Sequence, residues 1–149
     1  MDKVPDNTVF ELPVRVYYED TDAAGIVFYA NYLKFAERAR TELLRRFGIE
    51  NSGVSSRDGT AFAVRSCTID YLRPAHLDDL LNVETRITEI GGASMTMTQD
   101  VLRDGEALNK MTVRLVCMYI DGANKGKATR IPPDVRQALE DFSGLKSAR

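Results

Sequence analysis

One stretch limits the possible folds more than any other. From residue 31 to about residue 47 the apolar side chains Tyr32, Phe35, Ala36, Ala39, Leu43, Leu44 and Phe47 recur at spacings of three and four. An amphipathic helix presents such a stripe to a core. Asn31 stands where an N-cap belongs and Gly48 where a helix stops, while Glu37, Arg38, Arg40, Glu42, Arg45 and Arg46 read as a solvated face. After this helix the period changes: residues 61–71, 80–90, 94–102 and 107–120 read as extended segments. In the second of these Leu81, Val83, Thr85 and Ile87 share one face, and Asn82, Glu84, Arg86 and Thr88 the other. Before the helix, residues 14–18 read as a first strand following Pro13.

Turn chemistry orders the strands. Asp104-Gly105 is a strong hairpin signal, Gly91-Gly92 marks another tight turn, and Pro74 with Asp78-Asp79 separates the second strand from the third. Pro132-Pro133 leads into a short helix ending near Phe142. Residues 50–59, rich in Ser, Gly, Asn and Asp, read as a loop able to move over a site. The order β-α-β-β-β-β describes an α+β layout, a five-stranded antiparallel sheet with one long helix and a short C-terminal helix. One helix cannot cover five strands, so the uncovered edge and surface predict a homo-oligomer.

At 149 residues, with 44% hydrophobic and 28% charged, the chain fits a single domain over 1–149. A net charge of −2 gives no electrostatic reason to expect nucleic acid or an anionic membrane as partner. Cys67 and Cys117 sit in apolar runs without metal-ligand spacing and read as buried thiols. No apolar leader core follows Met1, and the apolar run at 115–120 is far too short to span a bilayer. A cytoplasmic location is expected.

The chemistry concentrates between the first strand and the helix, at Glu19-Asp20-Thr21-Asp22-Ala23-Ala24-Gly25. His76 is the single histidine and reads as a turn residue, so a Ser or Cys nucleophile lacks its usual base and a histidine metal pair is impossible. A calcium loop fails because Ala24 and Asn31 occupy its fifth and twelfth positions. No metal site is expected. What remains is a carboxylate in a turn feeding a helix N-terminus, whose open N–H groups suit a developing oxyanion. With a reference pKa of ~3.9, an Asp there serves at neutral pH as general base or as nucleophile on an activated acyl carbon, a thioester above all. The competing structural reading gives either Asp an Asx-turn or N-cap role.

The run from Val14-Arg15-Val16-Tyr17-Tyr18 through Asp20-Thr21-Asp22 to Asn31-Tyr32, continued by Phe35, Glu37-Arg38-Ala39-Arg40 and Thr41-Glu42, carries a resemblance to a known family. With Phe62-Ala63-Val64-Arg65, Asp70-Tyr71, Arg73-Pro74-Ala75 and Leu77-Asp78-Asp79, it resembles the YbgC-type acyl-CoA thioesterases, the tol-pal system-associated type of the 4-hydroxybenzoyl-CoA thioesterase group. The likeness runs from about residue 12 to 131. It implies the hotdog fold, a sheet wrapped around the long helix. It also implies an acyl-CoA substrate, no cofactor because CoA is part of that substrate, and a homotetramer built as a dimer of dimers with sites at the interface. Asp22 then matches the catalytic carboxylate, the Tyr29 backbone N–H polarises the thioester carbonyl, and Asp20 is structural. Many YbgC-type relatives have histidine where this chain has Tyr29, so a histidine-assisted mechanism is excluded. Gly91-Gly92 stands where relatives often carry arginine for the nucleotide phosphates. Ser94 is the remaining match for substrate binding, with Arg65 and Arg73 as substitutes. Two other functions stay in view: an acyl-CoA-binding or scaffolding module of an envelope-associated complex, and a hotdog hydratase or dehydratase.

Overall fold

The computed structural model describes residues 8–49 and 59–147. The expectation for the loop at 50–58 therefore lies outside the described residues, as does that for the first residues of the chain. Five strands, β1 (Phe10–Arg15), β2 (Thr60–Tyr71), β3 (Leu80–Ile90), β4 (Ser94–Arg103) and β5 (Glu106–Tyr119), form one antiparallel sheet in the order β1-β3-β4-β5-β2. Helix α1 (Asn31–Arg46) crosses one face, and α2 (Pro133–Ser143) packs against β3. The helix-and-sheet layout is the one expected from the sequence.

The core lies between α1 and the sheet. Phe35, Ala36, Ala39 and Leu43 from the helix stripe are fully buried against Val83, Met95, Met97, Val101, Met111 and Val113. Alternation makes this possible, because every second residue is buried from Leu81 to Ile87 in β3 and from Met95 to Val101 in β4, and those between are half-exposed. Gly48 ends α1 at φ 77°, where the Ile49 N–H reaches back to the Leu44 carbonyl at 3.0 Å. Asp104 and Gly105 both take positive φ, 51° and 80°, the backbone a tight β4–β5 hairpin requires.

Several local expectations change. The first strand starts and ends earlier than residues 14–18, and Pro13 lies inside it, paired with Asn82. An edge strand tolerates this because alternate N–H groups face outward and need no partner. The N-cap of α1 is Ala30, with no side-chain cap, and Asn31 is buried instead. Arg40 is not solvated: its guanidinium donates to Gln99 Oε1 at 2.9 Å, and burial pulls its pKa down. Cys117 is buried as expected, but Cys67 is exposed, because β2 is the outermost strand and one side of it is uncovered. Along β2 the stretch 64–68 is exposed throughout, with Val64 at 49% and Tyr71 at 46%. No helix among the described residues is long and apolar enough to cross a membrane.

Candidate active site

Between β1 and α1 the chain makes a single 3-10 turn at Tyr18–Asp20, and Asp20 organises it. Only 4% exposed, Asp20 accepts the Tyr17 N–H on Oδ2 at 2.8 Å and the Asn31 side-chain amide on Oδ1 at 3.1 Å. Its carbonyl accepts the Phe28 N–H at 2.9 Å. One buried carboxylate thus fastens the strand end to the first residue of the helix. Both oxygens of Asp20 are engaged within the fold.

Asp22 sits at the exposed tip of the loop that Asp20 anchors. The loop closes on itself: the Asp22 N–H bonds the Ile26 carbonyl at 2.9 Å, and the Gly25 N–H bonds the Asp22 carbonyl at 3.0 Å. Gly25 has φ 80°, a conformation open to glycine and costly for other residues. Asp22 Oδ1 accepts the Ala24 N–H at 2.8 Å, an Asx-turn, so the structural role weighed from the sequence is present in this residue too. Oδ2 has no partner among the described residues. One oxygen holds the loop and the other is open.

A second loop braces the first. The Val27 N–H bonds the Ala75 carbonyl at 2.9 Å, and Ile26 forms a bridge with His76. The bracing loop is pinned by Arg103, which donates to Asp79 Oδ2 at 2.7 Å and to the Pro74 carbonyl at 3.3 Å. Burial works to raise the Asp79 pKa, but the His76 N–H and Arg103 outweigh it, so the carboxyl titrates below its ordinary value. His76 is exposed, its ring beside Arg103 at 3.4 Å.

Tyr29 lies one residue before the N-cap, and its side chain is 63% exposed. Its carbonyl accepts the Tyr71 hydroxyl at 3.0 Å, while its N–H has no acceptor among the described residues. No acidic side chain occupies the first turn of α1 and no side chain caps it. The partial positive charge of that helix end is therefore uncompensated from within. Ile26, Val27, Tyr29, Tyr32, Tyr71 and Leu72 line an apolar groove alongside. Burial raises the pKa of both Tyr71 and Tyr32. Asp22 lines a separate depression with Tyr18, Thr21 and Leu77.

Ser94 and Arg65 are elsewhere. Ser94 opens β4 opposite Val116, which in turn pairs with Ala63 on β2, and Arg65 occupies the irregularity between Val64 and Ser66. Ala63 and Tyr71 stand eight positions apart on β2, about 26 Å at ~3.3 Å per residue. The structure thus brings Asp22 and Tyr29 to one end of the subunit, leaves Ser94 toward the other and puts Arg65 at the middle of β2. Gly91-Gly92 is neutral and held from below, with the Arg136 guanidinium donating to both glycine carbonyls at 3.0 and 2.6 Å. The sequence reading missed two buried amides, Gln99 and Asn109. Their signal was present: each is polar at a position where the strand alternation calls for an apolar side chain.

A five-stranded antiparallel sheet wrapped on one long helix is the hotdog fold, and the relatives of this chain are hydrolases of thioesters. The chain belongs to the thioesterase superfamily, whose family profile matches residues 24–110. It is 43% identical over 130 residues to the acyl-CoA thioesterase YbgC of Haemophilus influenzae, covering 87% of this chain and 93% of that one. To the acyl-CoA thioester hydrolase YbgC of Escherichia coli it is 44% identical over 114 residues, 76% of this chain and 84% of the relative. Among solved structures, a probable thioesterase from Bartonella henselae superposes with a TM-score of 0.77 at 35% identity, over 83% of this chain and 99% of the other. A 4-hydroxybenzoyl CoA thioesterase, solved with 4-hydroxybenzoyl CoA, shares the fold at a TM-score of 0.82 and 22% identity, over 89% and 99% of the two chains.

Proposed function

We propose that this protein hydrolyses acyl-CoA thioesters with Asp22 as the reacting carboxylate and the Tyr29 N–H as oxyanion donor. The observation that carries this reading is the pairing, on one short loop, of an exposed carboxylate with one open oxygen and an uncapped helix start with an open amide. The acyl group lies in the groove of Tyr29, Tyr32 and Tyr71, with its carbonyl oxygen toward the Tyr29 N–H. In one route Asp22 takes a proton from water, the hydroxide adds to the carbonyl carbon, and the C–S bond breaks as the thiol leaves with that proton. In the other, the Asp22 carboxylate adds directly, expels the thiolate as an anhydride forms, and water then cleaves the anhydride. In both, negative charge builds on the carbonyl oxygen, where an aimed donor typically contributes about 3–4 kcal/mol. No cofactor takes part, and CoA leaves as product.

The working unit in this reading is a dimer. Two copies of β2 paired antiparallel about their middle set the Ser94 end of one subunit against the Tyr29 end of the other and put Arg65 at the seam between them. The exposed, unpaired β2 edge supports this, since long bare edges are normally covered. Ser94 and Arg65 then contact the CoA portion from across the interface, two dimers associate into a homotetramer, and the enzyme works in the cytoplasm. A panel of acyl-CoAs followed by free-thiol release tests the activity. Sizing of the wild type beside Val64→Asp, placed on the exposed edge, tests the assembly. A monomeric wild type with full turnover would remove the shared site.

A further inference from the structure

Asn109 is an amide in a place where the fold calls for an apolar side chain. It stands two residues before Met111 on β5, on the face that Met111, Val113 and Leu115 turn toward α1, and it is fully buried. Neither Oδ1 nor Nδ2 of Asn109 meets a hydrogen-bond partner among the described residues. Gln99, the other buried amide on this face, is the contrast: its Nε2 donates to the Ala36 carbonyl and to Thr85 Oγ1, and its Oε1 accepts from Arg40. Where a buried amide serves the fold, this protein satisfies it. Asn109 is left unspent, which costs stability, so its use is sought in what enters beside it.

Its position indicates what that is. Asn109 is the direct cross-strand partner of Tyr71 on β2 and of Val101 on β4. Cross-strand neighbours hold their Cβ atoms about 4.5–5.5 Å apart, which sets Asn109 beside Tyr71 on the same face of the sheet. The Tyr71 ring packs 6.2 Å from Tyr29 and 5.8 Å from Tyr32, the residues that line the groove at the start of α1. Tyr71 is 46% exposed and is tethered through its hydroxyl to the Tyr29 carbonyl; Asn109 is fully buried and does not itself line the groove, so access to it from there requires the Tyr71 ring to move. Apolar walls supply affinity in such a groove, and a single unspent polar group supplies selection.

We propose that Asn109 is a specificity-determining residue that reads an oxygen on the acyl group, so that the preferred substrates carry a hydroxyl or keto group rather than a bare hydrocarbon. The assignment rests on the thioesterase reading above. Nδ2 donates to the substrate oxygen, and Oδ1 accepts the hydrogen of a hydroxyl. A bare hydrocarbon leaves both atoms unpaired, and that mismatch is what lets a polar site reject an analogue lacking the group.

The test compares wild type, Asn109→Leu and Asn109→Ala on two matched pairs, butanoyl-CoA against 3-hydroxybutanoyl-CoA and benzoyl-CoA against 4-hydroxybenzoyl-CoA. The ratio of kcat/KM within a pair is read on one preparation and does not depend on the folded fraction. In the wild type the oxygenated member is expected to win by about tenfold or more in at least one pair. Asn109→Leu is expected to erase about tenfold of that preference while unfolding at or above the wild-type temperature, because an unspent buried amide has gone. Asn109→Ala serves as the second, less crowded variant. A wild-type ratio near one in both pairs overturns the proposal. So does a ratio that neither variant moves, whatever happens to stability, since Asn109 is then structural only. Absence of thiol release from all four esters would instead bring down the thioesterase reading, and this inference with it.

Discussion

Two aspartates two residues apart differ in burial and in hydrogen bonding, and replacing each with asparagine separates the anchoring role of Asp20 from the reacting role proposed for Asp22. Asp20 uses both carboxylate oxygens as acceptors, for the Tyr17 N–H at 2.8 Å and the Asn31 amide at 3.1 Å, at 4% exposure. Asn offers one acceptor and one NH2, so in either orientation a donor is left facing a donor. Losing one charged-acceptor bond costs about 1.5–3 kcal/mol, and at 149 residues each kcal/mol is roughly 2–4 °C of Tm. Asp20→Asn is therefore expected to unfold roughly 3–12 °C below wild type. Asp22→Asn keeps an oxygen for the Ala24 N–H at an exposed site, and its stability should stay within about 0.5 kcal/mol. Its kcat for acyl-CoA hydrolysis should fall about 10²–10⁴-fold, the usual worth of a positioned base. Thermal unfolding and thiol release on the same samples decide the matter. Asp22→Asn with near-wild-type turnover, or Asp20→Asn with full stability and no turnover, would show that the two roles have been assigned to the wrong residues.

The remaining expectations are smaller. Arg103→Ala should cost about 1–2 kcal/mol at neutral pH, because it breaks the ion pair that pins residues 74–79 and, through the Ile26–His76 bridge, the Asp22 loop. The folded-state pKa of Asp79 lies below its ordinary 3.8, so the pair's contribution is present above that value and lost as pH falls through the lowered one. The gap between wild type and Arg103→Ala in urea titrations should close in acid below pH 3.8. Gly105→Ala places a Cβ that meets nothing within 4 Å, so only its φ of 80° opposes the change. A loss of about 1–2 kcal/mol, with turnover of the folded fraction unchanged, is expected from denaturant curves and assays.

What the sequence could convey depended on whether the physics was local. The stripe from Tyr32 to Leu44 stands out because every residue in it answers to one helix period, and Asp104-Gly105 because positive φ restricts residue choice at two adjacent positions. The start of the sheet was harder to read, since Tyr17 and Tyr18 have strand-like side chains. The Asp20 carboxylate, pulling in the Tyr17 N–H, bends the chain into a 3-10 turn instead. No spacing rule reveals that Asn31 will meet Asp20 from eleven residues away, so a helix cap was the natural local expectation. Arg40 shows the same limit: its place beside charged neighbours says solvent, while Gln99, 59 residues on, turns it inward. At the site, local sequence left a capping role for both aspartates. Burial distinguishes them, and burial belongs to the folded chain.

The separation of Ser94 and Arg65 from Tyr29 leads to one more experiment, because it makes the proposed site divisible. If Asp22 and Tyr29 come from one subunit and Arg65 from the other, Asp22→Asn and Arg65→Glu damage different halves of each site. Dimers of either variant alone then contain two spoiled sites. A mixed dimer contains one site with both defects and one with neither, by the two-fold symmetry of the pairing. Co-expressed at equal levels, half the dimers are mixed, and activity should return to about a quarter of wild type. Separately prepared proteins assayed together without subunit exchange should stay inactive. Sites contained within one subunit would show no recovery under either protocol, whereas full activity of Arg65→Glu by itself would put Arg65 outside the substrate path, as its position about 20 Å along β2 from Tyr71 implies for an isolated chain.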